Sequence, residues 1–353
     1  MENNNIVFIG KQVLLEGELR AARVVVKDGK IVDVVEAGDG DQVSDGVDVI
    51  DVGEDILMPG LVDSHVHINE PGRTSWEGFR TASMAAAAGG VTTLVDMPLN
   101  SLPPTTTLDN LRVKAEAAVG QCWVNVKFWG GVIPGNTPHL REMVAMGVPG
   151  FKCFLIHSGV DEFPAVDRDQ VVEALTELRD TGAVLLFHAE CEVEEDGGAE
   201  SGAESGAESG ADPDLYSTFL SSRPSSMETA AIQLVIDVCR LTGVPCHIVH
   251  LSAASALPLI RAARAEGLQL TVETCHHYLN LSSAEIPPRA TQYKCCPPIR
   301  DENNQELLWE AVMAGDIDMI VSDHSPCTPD LKLPGKSNIY QLVFLTAEPD
   351  RIF

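Results

Sequence analysis

Positive charge is scarce in this chain of 353 residues: 24 Lys and Arg stand against 52 Asp and Glu, leaving a formal net charge of −28. With no basic cluster, a nucleic acid or an anionic membrane surface would be repelled, so neither is expected as a partner. Long apolar runs are missing too. None approaches the roughly 18 residues that a membrane span needs, and Met1-Glu2-Asn3-Asn4-Asn5 has no basic segment leading into an apolar one. A soluble, non-secreted, cytoplasmic protein is expected, with peroxisome and mitochondrion left open; Arg351-Ile352-Phe353 is not a Ser-Lys-Leu address. The nine cysteines are scattered and odd in number, with no Cys-x-x-Cys, which argues against a disulfide framework or a structural zinc module. No Gly-x-Gly-x-x-Gly follows an early strand, so a dinucleotide-binding sheet lacks its phosphate loop.

What is present points to a large α/β core. Hydrophobic residues make up 44% of the chain. Residues 1–56 read as short strands and turns: Ile6 to Ile9, Lys11 to Leu15, Arg23 to Val26, then Asp28-Gly29 between β-branched runs, a hairpin signal. They are expected to form part of a small β-sandwich. From residue 57 to 329 the pattern alternates. Helical stretches (Trp76 to Ala88, Asp109 to Ala118, Asp169 to Thr181, Met227 to Thr242, Ala253 to Glu266) interleave with short apolar runs, the mark of repeated βα units. The runs are Leu61 to Ser64, Val91 to Val95, Val124 to Phe128, Gly150 to Phe154, Val184 to Phe187, Cys246 to Val249, Leu268 to Val272 and Met319 to Val321, about as many as a (β/α)8 barrel needs. Residues 192–212, with tandem Gly-Ala-Glu-Ser, are expected as a solvated acidic loop. Residues 330–353 form an atypical tail.

Barrel enzymes keep their chemistry where strands end, and there the histidines collect. Met58-Pro59-Gly60-Leu61-Val62-Asp63-Ser64-His65-Val66-His67 reads as a buried strand in which His65 and His67, two apart, point to one side. On its own, His-x-His also fits two ordinary half-buried histidines. His188, His250 and Asp323 close later runs, however, and place further ligand types at the same face. Lys152 lies within the apolar run Gly150-Phe151-Lys152-Cys153-Phe154, where a bare ammonium is costly to bury, so it needs a charge partner or chemical alteration. Carboxylated by carbon dioxide, it would supply an anionic bridge between two divalent ions. Unmodified, it leaves a weaker or mononuclear site. His276-His277 fits a substrate contact or a structural role. His139, His157 and His247 fit surface or packing roles, and Cys295-Cys296 has no local basic partner to activate a thiol.

Gly60-Leu61-Val62-Asp63-Ser64-His65-Val66-His67, the lysine strand, the two later strand-end histidines and Ser322-Asp323-His324-Ser325 resemble the cyclic amidohydrolases, which comprise allantoinase, dihydroorotase and dihydropyrimidinase/hydantoinase. His67-Ile68-Asn69-Glu70-Pro71-Gly72-Arg73, Asp96-Met97-Pro98-Leu99-Asn100 and Lys294-Cys295-Cys296-Pro297-Pro298-Ile299-Arg300 are most similar to the allantoinase branch. The resemblance implies that His65, His67 and Asp323 hold one metal, His188 and His250 the other, and carboxylated Lys152 bridges them. It implies two divalent ions, usually zinc, a homotetramer, and allantoin as a small-molecule substrate opened to allantoate. In that scheme Asp323 moves the proton as general base and acid. Asn69, Asn100 and backbone groups around Cys296 and Ser322 would meet the substrate ring, and His324 would orient Asp323 or substrate. Dihydroorotases carry an arginine where Asn69 stands, which speaks against dihydroorotate. A dihydropyrimidinase-type hydrolase is the alternative. A non-catalytic relative acting in assembly is another class, but such scaffold proteins have typically lost ligands and this chain keeps all six. The family pattern continues past Pro329, so the resemblance also implies a C-terminally truncated chain and an incomplete sandwich.

Overall fold

The computed structural model describes residues 5–36, 47–193 and 212–332. The Gly-Ala-Glu-Ser repeats and nearly all of the tail lie outside the described residues. Two compact units part between Leu61 and Val62, a few residues later than the change of pattern suggests.

The first unit is one four-stranded sheet in the order β3-β2-β1-β4, with β1 (Asn5–Leu15), β2 (Glu18–Lys27), β3 (Lys30–Glu36) and β4 (Asp48–Leu57). The two runs expected before Leu15 are a single strand whose register shifts between Gly10 and Val13. Both hairpins turn on two residues with positive φ, Glu16-Gly17 and Asp28-Gly29, the backbone that matches the twist of paired strands. Only the second was visible as Asp-Gly. Val13, Ala22 and Val24 make a small buried core, with Phe8, Leu15, Val26 and Leu57 packed on it.

The second unit alternates strand and helix. Its strands are β5 (Leu61–Val66), β6 (Val91–Asp96), β7 (Asn125–Phe128), β8 (Gly130–Gly131), β9 (Gly150–Phe154), β10 (Val184–His188), β11 (Cys246–Ile248), β12 (Leu270–Cys275) and β13 (Met319–Val321). Short β7 and β8 share one position: β7 pairs in parallel with β6, the chain breaks step at Trp129, and β8 pairs in parallel with β9. The ring closes where Val66 and His324 form a parallel bridge and the His67 N–H donates to the His324 carbonyl at 2.6 Å. The result is the expected (β/α)8 barrel.

The helices are α1 (Phe79–Ala88), α2 (Leu108–Ala118), α3 (Leu140–Ala145), α4 (Arg168–Leu178), α5 (Tyr216–Ser221), α6 (Ser225–Thr242), α7 (Leu257–Ala265), α8 (His276–Asn280) and α9 (Glu302–Ala314). Asp167 caps α4 by accepting from the Gln170 N–H at 2.9 Å while Gln170 accepts from the Asp167 N–H at 3.0 Å. Gly243, left-handed at φ 69, ends α6, the backbone a C-terminal cap favours. Helix α9 was not anticipated. It opens on Glu302-Asn303-Asn304-Gln305 and buries only Leu308 and Ala311, a stripe too thin to stand out as a period.

Strand alternation sorts the side chains. In β9 and β10, Phe151, Cys153, Leu185 and Phe187 face the helices, while Phe154 and Leu186 pack on the other side with Met97, Leu99 and Val249. Lys152, one residue from Phe151 and from Cys153, faces that inner side. Glycine lets the sheet close: a Cβ on Gly130 would sit 2.4 Å from the Phe151 ring.

A buried ion pair locks the start of the barrel. Lys114 Nζ of α2 lies 2.6 Å from Asp96 Oδ2, and Asp96 Oδ1 accepts from the Ile68 N–H at 2.7 Å. Lys114→Met is expected to lower stability to denaturant by about 3–5 kcal/mol, because it leaves a buried carboxylate without its cation. Adding Asp96→Asn should recover part of the loss; a Lys114→Met cost under about 1 kcal/mol would place the pair among those that contribute little.

Candidate metal centre

A cavity opens at the C-terminal ends of the barrel strands, and His65, His67, Lys152, His188, His250 and Asp323 all line it. Five of them come from the ends of barrel strands or just beyond, whereas Lys152 points inward from the middle of β9. His65 and His67 flank Val66, which packs outward with Ile68 and Phe79. His188 closes β10, and His250 and Asp323 follow β11 and β13 by two residues. Four residues near these ends hold left-handed backbone without being glycine: Asn69 (φ 67), Asn100 (φ 69), His250 (φ 39) and Asp323 (φ 50).

One half of the centre is His65, His67 and Asp323, whose ligand atoms lie within 4.8 Å of one another. Asp323 Oδ1 is 3.1 Å from His65 Nε2 and 3.4 Å from His67 Nε2. The His65 contact is close but not aligned as a hydrogen bond, so a buried ring nitrogen is without a hydrogen-bond partner. Burial alone would lower the basicity of His65, but Asp323 and Glu273 outweigh it and raise its pKa to about 9. Burial would raise the Asp323 carboxyl, and the neighbouring His65 and His67 hold it well below the usual carboxylate range.

The other half is His188 and His250. His188 Nδ1 and His250 Nε2 face each other at 3.0 Å, and His250 Nδ1 is buried with no hydrogen-bond partner. Burial, reinforced by Lys152, pushes both imidazoles well below their ordinary pKa, so both rings are neutral. The His188 ring stacks on Phe154 at 4.6 Å. Lys152 itself is 1% exposed, with Nζ 5.2 Å over the Phe154 ring, and burial lowers its pKa to about 8. Four imidazoles with inward nitrogens, a carboxylate and a buried amine form a donor set that could hold divalent cations.

The remaining expectations divide. Asn100 and Cys296 line the cavity; Asn100 Nδ2 is 3.4 Å from His67 Nδ1, and burial pushes the Cys296 thiol up to about 12. Asn69 and Ser322 do not line it. The Asn69 amide donates to the Pro326 carbonyl at 3.1 Å, and the Ser322 hydroxyl accepts from the His324 N–H at 2.9 Å while Ser325 takes the place at the cavity wall. The His324 ring turns to Glu77 at 3.3 Å, away from the cavity. His157, read as a surface or packing residue, is exposed but borders the cavity, and His247 is buried between Thr271 and Glu273. His277 is buried outside the cavity wall, its pKa lowered to about 4 by burial.

Three residues escaped the sequence reading. Arg223 lines the cavity with Nη1 2.5 Å from Glu190 Oε2, and that same oxygen is 2.7 Å from His188 Nε2. Glu273 accepts from His65 Nδ1. An ionisable residue inside an apolar run, the signal that singled out Lys152, marks Glu273 equally well in Leu270–Cys275.

Comparison with known proteins agrees with this geometry. The Amidohydrolase family profile matches residues 56–342. The chain is 54% identical over 327 residues to "Allantoinase, mitochondrial" of Aquarana catesbeiana, covering 93% of this chain and 65% of that protein. It is 47% identical over 341 residues to the allantoinase of Saccharomyces cerevisiae, covering 93% and 72%. It thus spans just under two thirds of the length of the amphibian relative. Among solved structures, L-hydantoinase (dihydropyrimidinase) from Arthrobacter aurescens superimposes with a TM-score of 0.86 at 29% identity, covering 96% of this chain and 73% of that one. Together with strand-end histidines gathered on one cavity, these matches place the chain in the amidohydrolase family.

Proposed function

We propose that this chain carries the catalytic barrel of a cyclic amide hydrolase that opens the hydantoin ring of allantoin to allantoate. The observation that carries the reading is the meeting of four histidines, a lysine and an aspartate on one cavity wall. His65, His67 and Asp323 are the residues that would hold one divalent ion, His188 and His250 a second, and Lys152, carboxylated on Nζ, would serve both; zinc suits an imidazole and carboxylate set. Such ions, when bound, supply Lewis acidity toward a carbonyl and lower the pKa of water from 15.7 to about 7. Asp323 accepts the proton of the attacking water and returns it to the ring nitrogen as the C–N bond breaks. Phe154 and Leu99 exclude water from one side of the cavity, and the Asn100 amide is placed to hydrogen-bond a ring carbonyl or N–H.

The charge pattern favours a neutral ureide. Arg223 is the guanidinium on the cavity wall, and its charge is already matched by Glu190. A substrate carboxylate brought there would face Glu190 as well, at a cost of several kcal/mol where water is excluded. Purified protein assayed with added zinc on allantoin, dihydroorotate and dihydrouracil should show its highest kcat/KM on allantoin. Equal or better turnover of dihydroorotate would reject the substrate assignment. Faster turnover of dihydrouracil would favour the dihydropyrimidinase reading, which the hydantoinase-like fold supports.

A further inference from the structure

We propose that Glu273 and Glu190 are positioning residues for the metal centre, each gripping the outer nitrogen of one histidine so that the inner nitrogen faces the ion, with unequal charge on the two grips. The inference rests on the metal-binding reading above.

Glu273 stands in β12 and is 1% exposed. Its Oε1 accepts from His65 Nδ1 and, at 3.3 Å, from the His250 N–H, and its Oε2 lies 3.1 Å from His247 Nε2. His247 Nδ1 in turn meets Thr271 Oγ1 at 2.7 Å. In the neutral ring that would face an ion, the one proton is held by Glu273 on Nδ1 and the Nε2 lone pair would face Asp323 and His67. The same carboxylate steadies the left-handed turn at His250, so one side chain reaches both halves of the centre. Glu190 does the corresponding work on the other side: its Oε2 holds His188 Nε2 at 2.7 Å, which leaves Nδ1 turned toward His250.

The grips differ in what balances them. Glu190 is paired with Arg223, a permanent cation, at 2.5 Å. Glu273 has only histidines within ion-pair reach among the described residues. More of its negative charge therefore acts on His65, making that imidazole the stronger donor. The ion held by His65, His67 and Asp323 should be the tighter of the two.

Chelator competition on the whole chain, loaded with zinc and separately with cobalt(II), tests this. Glu273→Gln should weaken the tighter ion by about 10–100-fold and alter the visible cobalt spectrum, whereas Glu190→Gln should act on the weaker ion. Glu273→Asp, which keeps the charge but shortens the reach, should fall between. If Glu273→Gln lowers the Tm of metal-free protein but leaves both affinities within about threefold, its role is structural and the proposal fails. If Glu273→Gln does not fold, His247→Gln, which loosens the grip from outside, must still weaken the tighter ion; unchanged affinity would overturn the proposal. Wild-type protein that takes up no divalent metal would overturn both this inference and the metal reading beneath it, while normal uptake unaffected by Glu273→Gln overturns this one alone.

Discussion

On the proposed function, Lys152→Ala should abolish allantoin turnover, by about three orders of magnitude or more, since several kcal/mol of electrostatic stabilisation is at stake. The lysine sits in the apolar strand β9, between two residues that pack on the helices, and the charges of Asp323 and Glu273 only partly offset its burial. An ammonium held there is expensive. Addition of the neutral amine to carbon dioxide, with loss of one proton, converts it to a carbamate anion facing His188, His250, His65 and His67. The variant should purify with about half or less of the wild-type metal, because the bridging ligand is gone. Short carboxylates such as acetate or propionate, small enough for the vacated volume, should restore part of the activity. Full turnover without them would show that the amine carries no such role.

Asp323→Asn is the second large effect. The substitution keeps size and shape but removes the charge that sits 3.1 and 3.4 Å from two imidazoles. A group that takes and returns a proton is worth about 10²–10⁴-fold in rate, so kcat should fall by that much, with KM little changed. The comparison must be made at matched metal content, because the same oxygen is a candidate ligand. Turnover within about tenfold of wild type would exclude Asp323 as the proton carrier.

The six residues at the heart of these predictions were legible because each breaks a local rule: a histidine or aspartate where a buried strand runs out, or a lysine where the run should be apolar. The strand positions were countable too, since most barrel strands contain a short apolar run. Reach along the chain was harder to see. The seventh run was expected over Leu268 to Val272, whereas β12 covers Leu270–Cys275. That shift hid Glu273, which looked like a residue past the strand end. Arg223 and Glu190 were invisible for another reason. They meet across a long excursion between β10 and α6, and no short-range pattern reports contact over such a separation. Sequence names a residue and not the direction of its side chain: Asn69 has left-handed backbone and its amide donates to the Pro326 carbonyl, neither of which any local pattern announces.

The left-handed turns at Asn69, Asn100, His250 and Asp323 bear on how this protein can be improved. Such backbone costs a residue with a Cβ of order 1–3 kcal/mol, less for the asparagine, aspartate and histidine types found here, and nothing for glycine. A laboratory selection that rewards heat resistance alone would therefore drift toward glycine at these positions. Two of them are the candidate ligands His250 and Asp323, so the survivors would be robust barrels that have discarded their chemistry. Stabilising campaigns on this scaffold should hold these positions constant and seek their gains on the outer helices.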